Sequence, residues 1–115
     1  MKLDEALETL DSFYELEDDW QGADSLAPLN ATIDNALAVY GLLKPSESID
    51  ITANPNGTIT YEWSNPDKYV QLEIGVDGAA LMVSPTDKTI PPTFRSYIAI
   101  RWKISHIAED LNSHI

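Results

Sequence analysis

The stretch NPNGTITYEWSNPDKYVQLEIGVDGAALMV, residues 54–83, decides the fold class of this chain. Apolar and polar side chains alternate along it with the period of two that is typical of half-buried strands, over residues 58–64, 68–76 and 79–83. Tight-turn sequences separate these segments: Asn56-Gly57, Asn65-Pro66-Asp67 and Asp77-Gly78. A further short strand is indicated by Ile49 and Ile51. The pattern predicts a four-stranded antiparallel meander with one polar face and one face that packs against helices.

Helical periodicity precedes the meander. Residues 2–17 repeat apolar side chains at helical spacing, and residues 31–43 do so again, with Asn30 as the expected N-cap. The predicted buried positions of the two helices are Leu3, Leu7, Leu10 and Tyr14, then Ile33, Ala36, Leu37, Tyr40 and Leu43. Residues 18–29 form the connector between them.

The segment after the meander has two interpretations. Tyr97, Ile100, Ile104, Ile107 and Leu111 fit a helix, whereas Ile98, Ile100, Trp102 and Ile104 alternate as in a strand. We predict a helix from about Thr93 to Ser113, because the pattern after Ile104 continues only at helical spacing. A fifth strand over residues 98–104 is the alternative. The expected fold class is therefore α+β: two N-terminal helices, the four-stranded meander and a C-terminal helix.

Length and composition limit the class of protein. The 115 residues are expected to form a single domain over 1–115, and a hydrophobic content of 43% is that of a folding sequence. The chain contains no cysteine, its N-terminus is charged, and no apolar run is long enough to cross a membrane, so we expect a cytoplasmic protein. A net charge of −12 disfavours direct binding to nucleic acid or anionic lipid and favours basic protein partners.

The negative charge is concentrated in one part of the chain. Residues 1–50 carry twelve acidic side chains against Lys2 and Lys44, and the remaining residues are nearly neutral. Five acidic residues are spaced four and three apart, which predicts one helical stripe: Asp4, Glu8, Asp11, Glu15 and Asp18. Like charges at this spacing destabilise a helix, and no lysine follows at i+4 to compensate them. The stripe is either a solvated face or a site for a cationic partner.

Two motifs carry a resemblance. The first is Leu16-Glu17-Asp18-Asp19-Trp20-Gln21-Gly22-Ala23, followed by Pro28 and an Ala/Leu-rich helix. The second runs from Asn56-Gly57 to Glu62-Trp63 and is followed by a strand and Asp77-Gly78. Over roughly residues 3 to 83 the chain resembles a loose group of small bacterial, prophage and mobile-element proteins that share a Trp-x-Gly connector and a hairpin ending in Glu-Trp. The resemblance implies the company of toxin–antitoxin modules and phage counter-defence proteins, without implying a particular chemistry.

The residues that could carry chemistry are few. Glu62 and Glu73 are expected on the same polar sheet face, where two carboxylates could act as a hydrolase pair, although a solvated face explains them more simply. The two histidines, His106 and His114, lie eight residues apart, which is not a zinc spacing. Trp20 and Gly22 fit a connector pinned by a buried indole, with Gly22 at positive φ, better than a ligand loop. No cofactor, metal site or enzymatic activity is predicted.

The sequence therefore predicts a non-enzymatic acidic binding protein. Its expected partner is a basic, nucleic-acid-handling protein, such as a defence-system effector or a toxin. The protein would inhibit that partner in the manner of an anti-CRISPR protein or an antitoxin, by mimicry of nucleic acid. The predicted partner-binding face consists of the stripe together with Asp19 and an aromatic anchor, Trp20. The alternative function is a homodimeric interaction module that associates through exposed apolar residues, for which the candidates are Tyr61, Trp63, Tyr69, Ile98 and Trp102.

Overall fold

The computed structural model describes all residues from Met1 to Ile115. Its helices are α1 (Leu3–Ser12), α2 (Asn30–Tyr40) and α3 (Ile104–Asn112). Its strands are β1 (Asp50–Ala53), β2 (Ile59–Ser64), β3 (Lys68–Ile74), β4 (Gly78–Pro85) and β5 (Thr93–Ile98). Two short 3-10 turns, Phe13–Glu15 and Ile100–Trp102, follow α1 and precede α3. The chain is thus α+β with three helices and an antiparallel sheet, as predicted. None of the helices has the length and apolar character needed to span a membrane.

The sheet is a meander in which every neighbouring pair of strands is antiparallel, in the order β1-β2-β3-β4-β5. The predicted turns set its register. Gly57 takes the positive φ of 85° that the β1–β2 hairpin requires, and the backbone N–H of Gly75 donates to the carbonyl of Gly78 (2.8 Å) to close the β3–β4 hairpin. Across β2 and β3, Tyr61 pairs with Leu72 and Trp63 with Val70, so both strands direct their apolar side chains to one face.

The core lies between this apolar face and the helices. The fully buried side chains of the sheet pack with those of the helices in one cluster that includes Leu10, Ile33, Val39, Ile107 and Leu111. Tyr61 is completely buried, and its hydroxyl donates to the backbone carbonyl of Ala36 on α2. Its ring meets the edge of the Tyr40 ring at a centroid distance of 5.9 Å. The buried phenol therefore ties the middle of the sheet to α2.

The C-terminal segment differs from the prediction. The sheet has five strands, since Thr93–Ile98 pairs with β4, and the helix begins at Ile104 and not near Thr93. The alternative placed a fifth strand at residues 98–104, which is too late in the chain. The break lies at Ala99, which adopts a left-handed conformation with φ of 50°, and the backbone N–H of Ile100 then donates to the backbone carbonyl of Asp77 (3.0 Å). The helical spacing of apolar residues corresponds to an α-helix only from Ile104 onward, and not from Thr93.

The N-terminal helices are shorter than predicted. The first leaves the α-helical conformation after Ser12, and Leu16 is extended, so residues 16 and 17 are not helical. The second ends at Tyr40 and not at residue 43, and it begins at Asn30, whose side chain makes no capping hydrogen bond because Leu29 occupies the N-cap position. Leu10 is fully buried as expected, but Leu3 and Leu7 are 58% and 41% exposed. The apolar face of α1 is therefore only partly covered.

Candidate acidic binding face

The acidic stripe is divided between three kinds of local structure. Asp4, Glu8 and Asp11 lie on α1, where their spacing of four and three places them on one face, and all three are exposed. Glu15 ends the 3-10 turn that follows and is also exposed. Asp18 lies in the connector beyond the helix. A continuous helical stripe of five residues is therefore not formed.

No basic side chain compensates these carboxylates. The one ion pair in the structure joins Arg95 to Asp110 (Nη1 to Oδ2, 3.1 Å), on β5 and α3. Lys44, one of two lysines in the N-terminal half, donates instead to the backbone carbonyl of Asn112 (3.4 Å). Each pair of like charges at i+3 or i+4 costs an exposed helix about 0.2–0.5 kcal/mol. Asp4, in the first turn, is favoured by the helix dipole, but Glu8 and Asp11 lie beyond that turn and destabilise the helix by repulsion.

A neighbouring acidic residue on α2 extends the face. The hydroxyl of Tyr14 donates to the carboxylate of Asp34, which is exposed. This hydrogen bond, burial, and the charges of Asp34 and Asp11 together raise the pKa of Tyr14 to about 12. Tyr14 therefore lies in the negative field of both α1 and α2. No pattern in the sequence links positions 14 and 34, so Asp34 was not predicted as a site residue. We call Asp4, Glu8, Asp11, Glu15 and Asp34 the acidic face.

Asp18 and Asp19, both predicted for the binding face, accept hydrogen bonds within the connector. The carboxylate of Asp18 accepts the N–H of Ala27, and that of Asp19 accepts the N–H of Asp24, each at 3.0 Å. Asp19 itself adopts a φ of 68°, a conformation that aspartate tolerates better than most residues. The two carboxylates close the connector on itself. Their position after the end of α1 also removes the conflict with the helix dipole that a longer helix would have created.

Trp20 is also committed to the connector. Its indole N–H donates to the carbonyl of Leu26 (2.9 Å), and its half-buried ring packs against the core. Gly22, two residues later, has a φ of 111°, as the sequence predicted. The N–H of Leu26 donates to the carbonyl of Pro55 (2.6 Å), which fixes the connector to the β1–β2 hairpin. Trp20 holds the connector together, so we do not assign it to the acidic face as an aromatic anchor.

An apolar groove borders the acidic face. It has a volume of about 490 Å³ and lies between the start of α1 and the chain that leaves α2. Leu3 and Leu7 form one wall, Leu43 and Pro45 contribute to the other, and Lys44 and Glu47 also line the groove. At about 100° per residue, the side chain of Leu7 projects only about 60° around the helix from that of Asp4. Exposed leucines and exposed carboxylates therefore lie side by side on α1.

The proposed hydrolase pair is engaged in ordinary sheet hydrogen bonds. Glu62 lies opposite Gln71, and Glu73 lies opposite Thr60, so both are on the outer face as predicted. The carboxylate of Glu62 accepts the hydroxyl of Tyr69, and this bond, burial and the glutamate charge raise the pKa of Tyr69 to about 12. Glu73 accepts the hydroxyl of Thr58 (2.7 Å). Each glutamate thus has its own partners, and none of these hydrogen bonds joins one to the other.

The remaining candidates separate in space. His106 contacts Arg95 (3.1 Å), whereas His114 contacts Lys68 (2.7 Å). Burial and the Lys68 charge lower the pKa of His114. No group of three or more acidic or histidine side chains is close enough to hold a metal ion. Of the aromatic residues proposed for a dimer patch, Tyr61 and Trp63 are buried in the core and are excluded from it.

Comparison with protein-family models, with curated proteins and with solved structures gives no match for this chain. The charge, exposure and shape of the acidic face and its groove are therefore the features that carry the functional proposal.

Proposed function

We propose that this protein is a non-enzymatic binding protein that inhibits or neutralises a basic, nucleic-acid-handling protein through its acidic face. The observation that carries the proposal is that no basic side chain forms an ion pair with the acidic face. Its five carboxylates are exposed, and the only ion pair of the chain joins Arg95 to Asp110. Charges that destabilise their own helix are explained if a cationic partner meets them. A defence-system effector or a toxin that handles nucleic acid has the required basic groove.

The spacing of the carboxylates supports mimicry of a nucleic-acid backbone. Side chains three and four residues apart on a helix are separated by about 5–6 Å, which is comparable to the spacing of backbone phosphates. Asp4, Glu8 and Asp11 follow this spacing along α1, and Glu15 continues the row beyond it. A groove whose arginines and lysines are placed for phosphates could accept this row and would then be closed to its nucleic acid.

The apolar groove adds a non-polar contact to the electrostatic contact of the acidic face. Charge attraction accelerates association and is weakened by salt, but buried apolar side chains at the centre of an interface usually contribute most of the binding energy. Leu3 and Leu7 are exposed beside the carboxylates and line a groove large enough for one or two apolar side chains of a partner. This groove takes the place of Trp20 as the non-polar part of the proposed site.

The experiment that tests the proposal is a charge-reversal comparison. The variant Glu8→Lys, Asp11→Lys, Glu15→Lys is used with the unaltered chain to capture proteins from host lysate at low and high salt. The control variant carries the same change in net charge outside the acidic face, as Asp67→Lys, Asp77→Lys, Glu109→Lys. We expect the first variant to lose the captured protein and the control to retain it, with captured protein displaced by high salt and by added nucleic acid. Binding that is equal in both variants would overturn the proposal.

A second variant separates the two parts of the site. Leu7→Ala leaves every carboxylate in place and removes one wall of the groove. We expect it to accelerate dissociation of the captured partner and to leave the salt dependence of association unchanged, because apolar contacts at an interface act mainly on the rate of dissociation. A loss of salt dependence in Leu7→Ala would show that the groove and the carboxylates are not independent contributions.

A further inference from the structure

The outer edge of β5 is an unpaired strand edge. In an antiparallel ladder, successive residues direct their backbone groups alternately to one neighbour and the other. Gly78 faces β3, since Gly75 donates to it, so Ala79 faces β5 and pairs with Tyr97. By the same alternation, the N–H and C=O groups of Phe94, Ser96 and Ile98 point away from the sheet. No turn or loop hydrogen bond involves any of these six backbone groups.

The side chains at this edge are apolar and open to solvent. Phe94 is 73% exposed and Ile98 is 79% exposed, and both lie on the outer face of the sheet, two residues on either side of Ser96. On the other face, Arg95 lies over the ring of Tyr97 at 5.5 Å. On the outer face, the segment Phe94-Arg95-Ser96-Tyr97-Ile98 therefore has an exposed apolar side chain at equal distances on either side of Ser96. Such a strand is complementary to a second copy of itself.

We propose that two copies of this chain associate through β5, as antiparallel strands centred on Ser96, to form one continuous ten-stranded sheet. In this register Ser96 lies opposite Ser96 of the second copy, and Phe94 lies opposite Ile98 of the second copy on both sides of the two-fold axis. The three outward-facing residues of each strand then exchange about six backbone hydrogen bonds. The two Phe94–Ile98 pairs form apolar cross-strand contacts on the outer face.

The distribution of charge keeps the acidic side chains away from this edge. A chain of net charge −12 repels a second copy, but residues 88–106 contain no acidic residue; their four basic residues are like charges across the proposed interface. Arg95, which lies within the strand, is already paired with Asp110. Helix α1 packs beside β1, at the opposite edge of the sheet. The proposed dimer therefore holds the two acidic faces at its far ends, where their mutual repulsion is smallest.

The proposed interface is small, so we expect a weak dimer. One strand of six residues with two exposed apolar side chains buries less than the roughly 800 Å² per partner of a standard stable interface. We expect dissociation in the micromolar range. Salt should strengthen the dimer by screening the repulsion between two chains of the same charge, whereas it should weaken the acidic face's contact with a basic partner. The opposite salt dependence distinguishes this inference from the proposed function, on which it does not depend.

A single cysteine tests the register, because the chain contains no other. Opposed residues of a hydrogen-bonded antiparallel pair have Cα atoms about 5.5 Å apart, within the range of a disulfide. Ser96→Cys should therefore form a covalent dimer on mild oxidation at micromolar concentration. The control is Thr52→Cys on β1, which is exposed at the opposite edge of the sheet. Equal rates of cross-linking in the two variants would overturn the proposed interface.

Sedimentation velocity tests the association itself. The unaltered chain should shift from monomer to dimer between about 1 and several hundred micromolar, at lower concentration in high salt. Ser96→Pro removes one outward N–H and no internal hydrogen bond, and should raise the dissociation constant at least tenfold. Phe94→Lys with Ile98→Lys should do the same if Ser96→Pro does not fold. A chain that stays monomeric to several hundred micromolar overturns the proposal.

Discussion

Glu8→Lys should make the protein more stable while it damages the proposed binding face. Glu8 lies in the middle of α1, four residues after Asp4, three after Glu5 and three before Asp11, and all four side chains are exposed. A lysine at this position converts three repulsive contacts into three attractive ones. Asp4 then precedes a lysine by four residues, which is the more favourable orientation of a helical ion pair.

The size of the effect follows from these three contacts. Each like-charge pair costs about 0.2–0.5 kcal/mol, and each opposite-charge pair contributes a similar amount, so reversal changes each contact by about 0.4–1 kcal/mol. Three exposed contacts at low ionic strength therefore give an increase of about 1.5 kcal/mol in the free energy of unfolding. With a urea slope of about 2 kcal/mol/M, the midpoint should rise by about 0.7 M. The corresponding rise in Tm is about 6 °C.

Urea denaturation followed by circular dichroism, at low salt and in 1 M NaCl, measures this change. Asp67→Lys is the matched control, because it alters net charge equally at an exposed position in the turn between β2 and β3, away from α1. We expect Glu8→Lys to exceed the control at low salt and to match it at high salt. If the two variants are equally stable at low salt, the carboxylates of α1 do not repel one another appreciably, and the argument for an uncompensated face fails.

Three further changes test other parts of the structure. Tyr61→Phe removes the buried hydrogen bond to Ala36 and should lower the free energy of unfolding by about 1 kcal/mol in urea titrations. Gly57→Ala, at a φ of 85°, should cost about 1–2 kcal/mol, whereas Gly41→Ala, at an ordinary helical φ, should be neutral or stabilising. The pKa of Tyr14 is raised above its unfolded value, so its contribution to stability is complete below pH 10 and is lost as the pH rises toward about 12. Tyr14→Phe should make this alkaline loss of stability smaller; an unchanged pH profile would show that the Tyr14–Asp34 contact contributes nothing.

The sequence predicted the central strands and their turns because local chemistry determines both. Alternation over residues 58–64 and 68–76 and the turn residues between them specify register and face without information from the rest of the chain. The connector was also partly predictable, since Gly22 adopts the positive φ that its position indicated. The conformation of each of these segments is determined by its own residues.

The ends of the chain were predicted less well because neighbours decide their structure. Thr93–Ile98 becomes a strand by pairing with β4, although Phe94 and Ile98 gain little burial there. The left-handed residue at this turn is Ala99, so no glycine or asparagine in the sequence indicates the turn. The candidate site shows the same limit: Asp4, Glu8, Asp11 and Glu15 were predictable from spacing, whereas Asp34 joins them only because α2 packs beside α1.

Helix α1 is held in place by few contacts, and this affects how a partner would meet it. Its N-cap lacks a side-chain hydrogen bond, no basic residue lies in its last turn, and only Ala6 and Leu10 are buried along its ten residues. Such an element opens more readily than the sheet in local unfolding equilibria. A cationic partner that neutralises the carboxylates would therefore also order the helix, and part of the gross interaction free energy would be spent on that ordering. Slow amide exchange in α1 would then report occupancy of the face more sensitively than any change in shape.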